Sequence, residues 1–491
     1  MSARAELGSL EASGLIEIAA LQPELEYLFR HALVQEAAYS SLLKQDRRLL
    51  HRGAAETILA LHPDRERELA GVIAMHFEHA GDATRAAEYY ALAGDHALER
   101  FANREAIAFF ARVDMLADEA EIDLRLRAAI GGAKAGWTYT SPGSDIERLE
   151  RALAAAGRAD QRLVAQAYFW VAFLRRQGGE VPETSPALQE ALDRAKQVGS
   201  ALNDPAAAAL PKALMGSYTA FIGDLRQGAR EMREALEEIA DQRDRLSTAM
   251  ISNFLAITYA RLGEFDAAEA AIAESRLHAV AVDDIAHVDL DIAESALDLE
   301  RGEVDKASIL ASECAARSED LGAWACVVVS NVMFGAASLA REDAPAAKEP
   351  LERSNELSRV TNMAPMRTLA QGFLGSVRAQ LGDLPGGIEA WDQALAGARA
   401  MNDRYGEAQT LWGRARAYAR LPEANWPAAL ADLDRAIELF ERMETRPSLA
   451  RALRDRAQAL RELSHGAQAE GDERRSLELG RELGLKDLGA A

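Results

Sequence analysis

The chain has 491 residues, with 78 acidic side chains against 56 Lys and Arg, and its formal net charge of −22 argues against direct binding to nucleic acid. Alanine and leucine dominate and aromatic residues make up only 6%, which favours helix almost throughout, in a chain too long for one compact core. Two cysteines, Cys314 and Cys326, cannot staple a chain this size; with no membrane-length apolar run and no signal peptide, the sequence points to a soluble cytoplasmic protein with reduced thiols.

Residues 1–60 stand apart from the rest. Residues 10–15 end a short helix, residues 16–18 and 26–29 alternate like strands, and Gln22-Pro23-Glu24 between them reads as a turn. A helix over residues 30–39 follows, then a second carrying Arg47, Arg48, His51 and Arg52. Helix, hairpin, helix at this size outlines a small winged-helix-like α/β segment.

Helical repeats begin after residue 60. Ala74 is followed seven residues later by Gly81, and Ala172 by Gly179 and then Val181. Between them, Gly131-Gly132 and the stretch 138–144 read as helix breakers, with Ser144 as the cap of a new helix. Trp137 before that stretch is a core plug or an exposed anchor. His76 and His79 share a helix face near His96, but no third ligand is spaced to join them, so an exposed, metal-free pair is expected. Residues 203–211, with Pro205 and Pro211, read as a longer connection between two stacks.

From residue 213 the pattern is regular. A small residue recurs at Gly216, Ala256, Ser295, Gly335, Gly375 and Gly413, at spacings of 40, 39, 40, 40 and 38. Seven residues after each stand Gly223, Gly263, Gly302, Glu342, Gly382 and Arg420. A fixed period of this length marks stacked helix pairs. The small residue lets two helices approach, and the glycine takes the corner between them. The expected architecture is therefore an all-α, tetratricopeptide-like solenoid with structural corners at Gly81, Gly179, Gly223, Gly263, Gly302 and Gly382. Four segments are expected: residues 1–60 (winged-helix-like), 61–202 (first repeats), 203–445 (regular repeats) and 446–491 (terminal helices, with the tail helix from Gly471 capping the open core).

The middle is acidic: residues 231–320 hold 22 Asp and Glu against 8 Lys and Arg. Asp283, His287, Asp291 and Glu294 fall on one helix face, which reads as solvated rather than metal-binding, since hard cations need oxygens converging from a loop. The sequence contains no G-x-x-x-x-G-K-[ST], no H-E-x-x-H, no G-x-S-x-G and no paired CxxC, so neither catalysis nor a bound cofactor or metal is expected of it.

Two stretches, YLFRHALVQEAAYSSLL and RRLLHRGAAETI, closely resemble a segment of large bacterial signalling ATPases. In that family a P-loop ATPase module ends in a winged-helix part and runs into tetratricopeptide-like repeats. Many members carry a class III adenylate/guanylate cyclase domain. Others, like the maltose-type regulators, end in a DNA-binding domain. The resemblance extends to residue 117 and is repeat-level beyond it. It implies a regulatory scaffold, the sensor half of such an ATPase or cyclase-type protein, binding a protein, peptide or small signal, with no membrane partner. A free-standing adaptor for a separate ATPase or cyclase is one alternative. A maltose-type regulator lacking its DNA-binding domain is another, although the tail does not resemble that domain. By the same resemblance His31 matches a winged-helix histidine that reaches nucleotide phosphates.

Overall fold

The computed structural model describes residues 3–20, 26–100, 102–139, 142–202, 205–239, 245–279 and 284–488. Two units separate: Met1–Ala93 with Met115–Asp118, and Gly94–Asp114 with Glu119–Ala491.

In the first unit, α1 (Ala3–Ala12) leads into β1 (Ile16–Ala20) and β2 (Glu26–Phe29), followed by α2 (Ala32–Ser41), α3 (Lys44–Leu61), α4 (Glu66–Ala80) and the start of α5 (Ala83–Glu99). The strands are antiparallel, with Ile16 opposite Phe29 and Ile18 opposite Tyr27. The expected turn at Gln22-Pro23-Glu24 lies outside the described residues. Large apolar side chains stay exposed here, including Leu28, Leu33, Leu43, Leu49 and Leu61.

The second unit continues through α6 (Asn103–Leu116), α7 (Ile122–Gly136), α8 (Pro142–Ala154), α9 (Gln161–Gln177), α10 (Pro186–Ala201), α11 (Pro205–Phe221) and α12 (Leu225–Ile239). Then come α13 (Arg245–Leu262), α14 (Phe265–Ala279), α15 (Asp284–Arg301), α16 (Val304–Leu321), α17 (Trp324–Ala340) and α18 (Ala344–Val360). It ends with α19 (Ala364–Gln380), α20 (Leu384–Ala400), α21 (Arg404–Ala419), α22 (Trp426–Met443), α23 (Arg446–Glu462) and α24 (Gly466–Leu483). Consecutive helices pair as antiparallel hairpins, and the pairs stack in order.

Small residues set how closely each pair packs. At Gly375 on α19 the Trp391 ring lies against the backbone where a Cβ would otherwise sit, and Trp391 is fully buried. Gly335 admits Leu351 in the same way. At the equivalent position Ser295 donates to the Ala307 carbonyl at 3.0 Å. A second small slot runs along the partner helices at Ala235, Ser275, Cys314, Ser354, Ala394, Ala436 and Ser476, all buried. From this slot Ser354 donates to Val328 O at 2.9 Å and Ser476 to Ala450 O, each 26 residues back. The Cys314 thiol makes the same contact with Val288 O at 3.6 Å. Cys314 is thus a small residue in a repeat slot, and the hydrogen bond satisfies a hydroxyl that burial would otherwise penalise.

The corners Gly81, Gly179, Gly223, Gly263, Gly302 and Gly382 all have positive φ, from +79° to +100°. At Gly263 the N–H bonds to Ala260 O at 3.0 Å and the following Glu264 N–H to Tyr259 O at 2.9 Å, a Schellman ending. Glu342 holds the same conformation at φ +63° and keeps both bonds, to Leu339 and Ser338, so hydrogen bonding carries the corner there without glycine.

Corners also meet a later turn of the superhelix. Gly223 faces Met443, Gly263 faces Leu483, and Gly179 faces Met401. Arg226 bonds Glu444 at 2.6 Å across 218 residues, and Arg104 donates to Leu321 O across 217. Arg451 closes the second contact line: it donates to Glu300 O at 2.9 Å and to both oxygens of Asp487 at 2.7 and 3.1 Å. The tail after α24 therefore folds back onto the end of α15, where Lys486 N–H bonds Arg301 O at 3.0 Å. It does more than cap the last pair, and its helix begins at Gly466 rather than Gly471.

Two expected breaks are helical instead, and a third, expected over 138–144, is shorter: Thr138 and Tyr139 lie in a turn after α7. Gly131 and Gly132 lie buried inside α7, where the Phe110 ring and the Arg148 guanidinium occupy the space their side chains would need. The next helix starts at Pro142, a residue suited to a first helical position, so Ser144 lies within α8; Thr140 and Ser141 are outside the described residues. Residues 205–211 open α11, with Pro211 inside it; Asn203 and Asp204 fall outside the described residues.

Gly263 and Gly382 differ in what lies beyond them: a Cβ on Gly263 would sit 2.8 Å from Leu483, whereas Gly382 has nothing within 4 Å. Gly382→Val should cost about 1–3 kcal/mol from the left-handed backbone alone. Gly263→Val should cost about 1–3 kcal/mol more from overpacking. Urea denaturation of both variants checks this; equal losses would mean that the Leu483 contact contributes nothing.

Candidate functional site

The first helix of each pair in the second unit faces inward. Together α9, α11, α13, α15, α17, α19, α21 and α23 line a lumen that holds two adjoining cavities, of about 310 and 230 Å³. Ile257, Arg261, Met333, Leu369 and Tyr405 belong to both. The smaller cavity is walled by Trp137, Phe173, Phe221, Phe254, Met250, Met333 and Met366. Trp137 is partly buried and meets Phe173 edge-on at 5.7 Å between ring centres, so it is a wall residue rather than an exposed anchor. Cavities of this size with apolar walls and a few polar groups are the usual form of ligand sites.

The repeat register explains which side chains reach the lumen. Six residues before the small position stand Met250, Asp289, Val329 and Leu369, and all four line the smaller cavity. Four residues after it stand Arg176, Ala220, Ala260, Leu299, Leu339, Ala379 and Ala417. Arg176 is thus the charged residue of a slot that is apolar in the later repeats, whereas the slot of Asp289 also holds Gln166 and Glu407.

Neither charge is neutralised by a bonded partner. The Arg176 guanidinium lies 3.9 Å over the Phe221 ring and 5.5 Å over Tyr218. Its Nε is buried without a hydrogen-bond partner, and burial pushes its acid constant down to about 10. Arg261 stacks 3.8 Å over the Tyr405 ring, and no carboxylate among the described residues forms an ion pair with it. Asp403 lies near both arginines, but its Oδ1 accepts from Gly406 N–H at 2.8 Å as the cap of α21; burial raises its acid constant to about 6. Asp289 has one hydrogen-bonded neighbour, the Cys326 thiol, 3.3 Å from its Oδ1, and burial likewise raises it to about 6.

The larger cavity is closed by groups that already have partners. Tyr405 OH donates to Glu300 at 3.1 Å, Arg451 holds Glu300 and Asp487, and Trp412 Nε1 donates to Asp455 at 2.8 Å. Cys314 and Cys326 are buried free thiols with acid constants pushed up by burial, to about 12 for Cys314. They are poor nucleophiles. The arrangement can hold a ligand by shape and charge.

The residues singled out from sequence fall elsewhere. The corner glycines form the ends of helices rather than the lumen wall. His31 is the N-cap residue of α2, exposed, with no side-chain capping bond. The pairing of His76 and His79 is corrected by a third ring. His51 comes from α3, with its Nδ1 2.8 Å from His76 Nδ1 and its ring centre 4.8 Å from that of His79. Burial and the neighbouring rings lower the acid constants of His51 and His76. Even so, no group of three His, Cys, Asp or Glu among the described residues could hold a metal ion. The acidic face expected on α15 is ion-paired rather than solvated: Asp291 meets Arg317 and Glu294 meets Arg276, while Asp283 is outside the described residues. The sequence does not bring Arg176, Arg261 and Asp289 together as cavity groups, because packing between repeats makes the shared wall; Arg176 alone stands in a slot that is apolar in the later repeats.

No protein-family model matches the sequence, and comparison with curated proteins finds no match. Solved structures match in fold. A Rap protein complexed with Competence and Sporulation Factor shares 13% identity over 81% of this chain and 98% of that one, with a TM-score of 0.51. The Cut9–Hcn1 hetero-tetramer of the APC/C matches at 14% identity, 92% and 90% coverage and a TM-score of 0.46. A STAND protein with a tetratricopeptide repeat sensor from Pyrococcus horikoshii matches at 15%, 85% and 69%, with a TM-score of 0.39. The likeness to the Rap protein shows that the helical-repeat fold is shared. Among the described residues no helix is long and apolar enough to cross a membrane.

The charge state of Asp289 gives a test. Its acid constant rises from 3.8 to about 6 on folding, so the folded chain binds the proton more tightly between those values. The ionised form therefore lowers stability above pH 6, and that loss is relieved as pH falls through 6 toward 4. Asp289→Asn should raise the unfolding temperature at pH 7.5, by at most about 3 kcal/mol of stability. The gain should vanish near pH 4; a gain independent of pH would contradict the account.

Proposed function

We propose that the chain is a regulatory interaction scaffold: the sensor portion of a nucleotide-dependent signalling protein, whose lumen receives a peptide or small signal. The observation that carries this reading is the lumen, where apolar walls surround Arg176 and Asp289, neither of which has an ion-pair partner. A chain that only stacked its repeats would fill the Arg176 slot with an apolar residue, as its later repeats do. One fold neighbour agrees in kind, a Rap protein solved in complex with Competence and Sporulation Factor.

The first unit supplies a second surface. Its exposed Leu33, Leu43, Leu49 and Leu61 give an apolar face on a segment that resembles the winged-helix part of signalling ATPases. On this reading an ATPase or cyclase-type module, carried by the same protein or a separate one, docks there. Signal recognition then belongs to the lumen and nucleotide chemistry to the partner. The coupling is a difference in ligand affinity between two states of the assembly.

Met333 borders both cavities, so Met333→Trp should block their junction. The neutral dye N-phenyl-1-naphthylamine should bind the parent chain saturably, with enhanced fluorescence. It should bind the variant at least ten-fold more weakly, with the helical circular dichroism unchanged. Equal binding to both chains would place the dye outside the lumen and remove the support for this reading.

A further inference from the structure

We propose that the lumen takes a short apolar peptide with both ends free, its carboxylate held by Arg176 and Arg261 and its ammonium by Asp289. This rests on the lumen being the ligand site.

Arg176 and Asp289 come from different helices, α9 and α15, and both border the smaller cavity. Arg176 occupies a slot that is apolar in the later repeats, and Asp289 is the acidic group that its slot contributes to this cavity. A buried charge without a partner is destabilising and persists where something else selects it. The two do not bond to each other: the hydrogen-bonding contact of Asp289 is the Cys326 thiol, and the Arg176 guanidinium rests on the Phe221 ring with an orphaned Nε. Arg261 also rests on a ring, that of Tyr405. A guanidinium held by an aromatic face keeps its edge N–H donors for a planar anion, and two of them suit a carboxylate.

The ligand must therefore bring one anion and one cation joined by apolar matter. A fatty or aromatic acid would leave Asp289 without a counter-charge. An internal segment of a protein has no terminal ammonium or carboxylate to offer. A short free peptide has both, and its side chains meet a wall rich in methionine and phenylalanine. Methionine is unbranched and polarisable, so such a wall adapts to varied side chains. Specificity then comes from the two charged ends and from length, more than from one shaped pocket.

The test uses three pools of synthetic pentapeptides built from Leu, Met, Phe and Gly: free at both ends, N-acetylated, and C-amidated. Each pool competes with N-phenyl-1-naphthylamine for the purified full chain. The free pool should displace the dye at a concentration at least ten-fold lower than either capped pool. Asp289→Asn should abolish the difference between free and acetylated pools while keeping the effect of amidation. The double variant Arg176→Gln, Arg261→Gln should do the reverse, and Arg176→Lys should keep part of the discrimination against amidation. Dye binding by each variant verifies that its lumen is intact, and Arg261→Gln alone serves if the double variant loses it. Equal displacement by all three pools would overturn the proposal, as would a variant that weakens all pools alike. Either result leaves the dye-binding lumen standing. Loss of peptide and dye binding by the parent chain would instead remove the lumen reading itself.

Discussion

The close approach of paired helices at one small residue per repeat is the constraint on which the rest of the second unit depends. Trp391 can lie on α19 because position 375 has no side chain, and Leu351 can lie on α17 because position 335 has none. That spacing orients the first helix of each pair inward and the second outward. It also gives each pair a similar offset from the last, and the accumulated offset bends the stack until later corners meet earlier ones. The contacts of Arg226 with Glu444 and of Arg451 with Asp487 are consequences of this geometry. Of the two, the Arg451 contact holds the turns more strongly, because a buried, two-pronged arginine pair resists screening better than an exposed one such as Arg226 with Glu444.

A superhelix that meets itself encloses a lumen, and an enclosed lumen changes the cost of every charge facing it. On an open surface Arg176 and Asp289 would be ordinary solvated residues. Inside, their charged forms are disfavoured, and the acid constants of both move in the direction burial dictates. The chain retains them at a cost in stability, the pattern expected where recognition requires a polar group in a dry place. The closing groups Glu300 and Arg451 are buried but bonded to each other, and Arg451 also to Asp487, so they read as structure.

Much of the architecture was legible in the sequence. The period of about 40 residues and the glycine corners follow from elementary packing and backbone sterics, and they locate the helix pairs. The strands at 16–20 and 26–29 were legible from alternation. What misled was punctuation: Gly131-Gly132 and Pro205–Pro211 look like breaks, yet Phe110 takes the space beside Gly131 and Arg148 that beside Gly132, and proline is well placed at the start of a helix, as at Pro142 and Pro205. The candidate site was legible only in part. Arg176 and Asp289 lie 113 positions apart in sequence. They share a cavity because of the superhelical curvature, which no local pattern encodes. His51 joining His76 is the same lesson at smaller scale, since the contact belongs to the packing of two helices.

The central claim is that successive turns of the second unit touch and so enclose the lumen. A cysteine pair tests it most directly. Gly178 and Asn362 face each other across turns, with a Cβ built on Gly178 falling 3.4 Å from Asn362 Cγ. The native Cys314 and Cys326 are buried. In the double variant Gly178→Cys, Asn362→Cys, mild oxidation of the folded chain should form an intramolecular disulfide, seen as a faster band on a non-reducing gel. Both cysteines remaining free under conditions that keep the helices folded would mean that the turns stand apart, and the enclosed site would go with them.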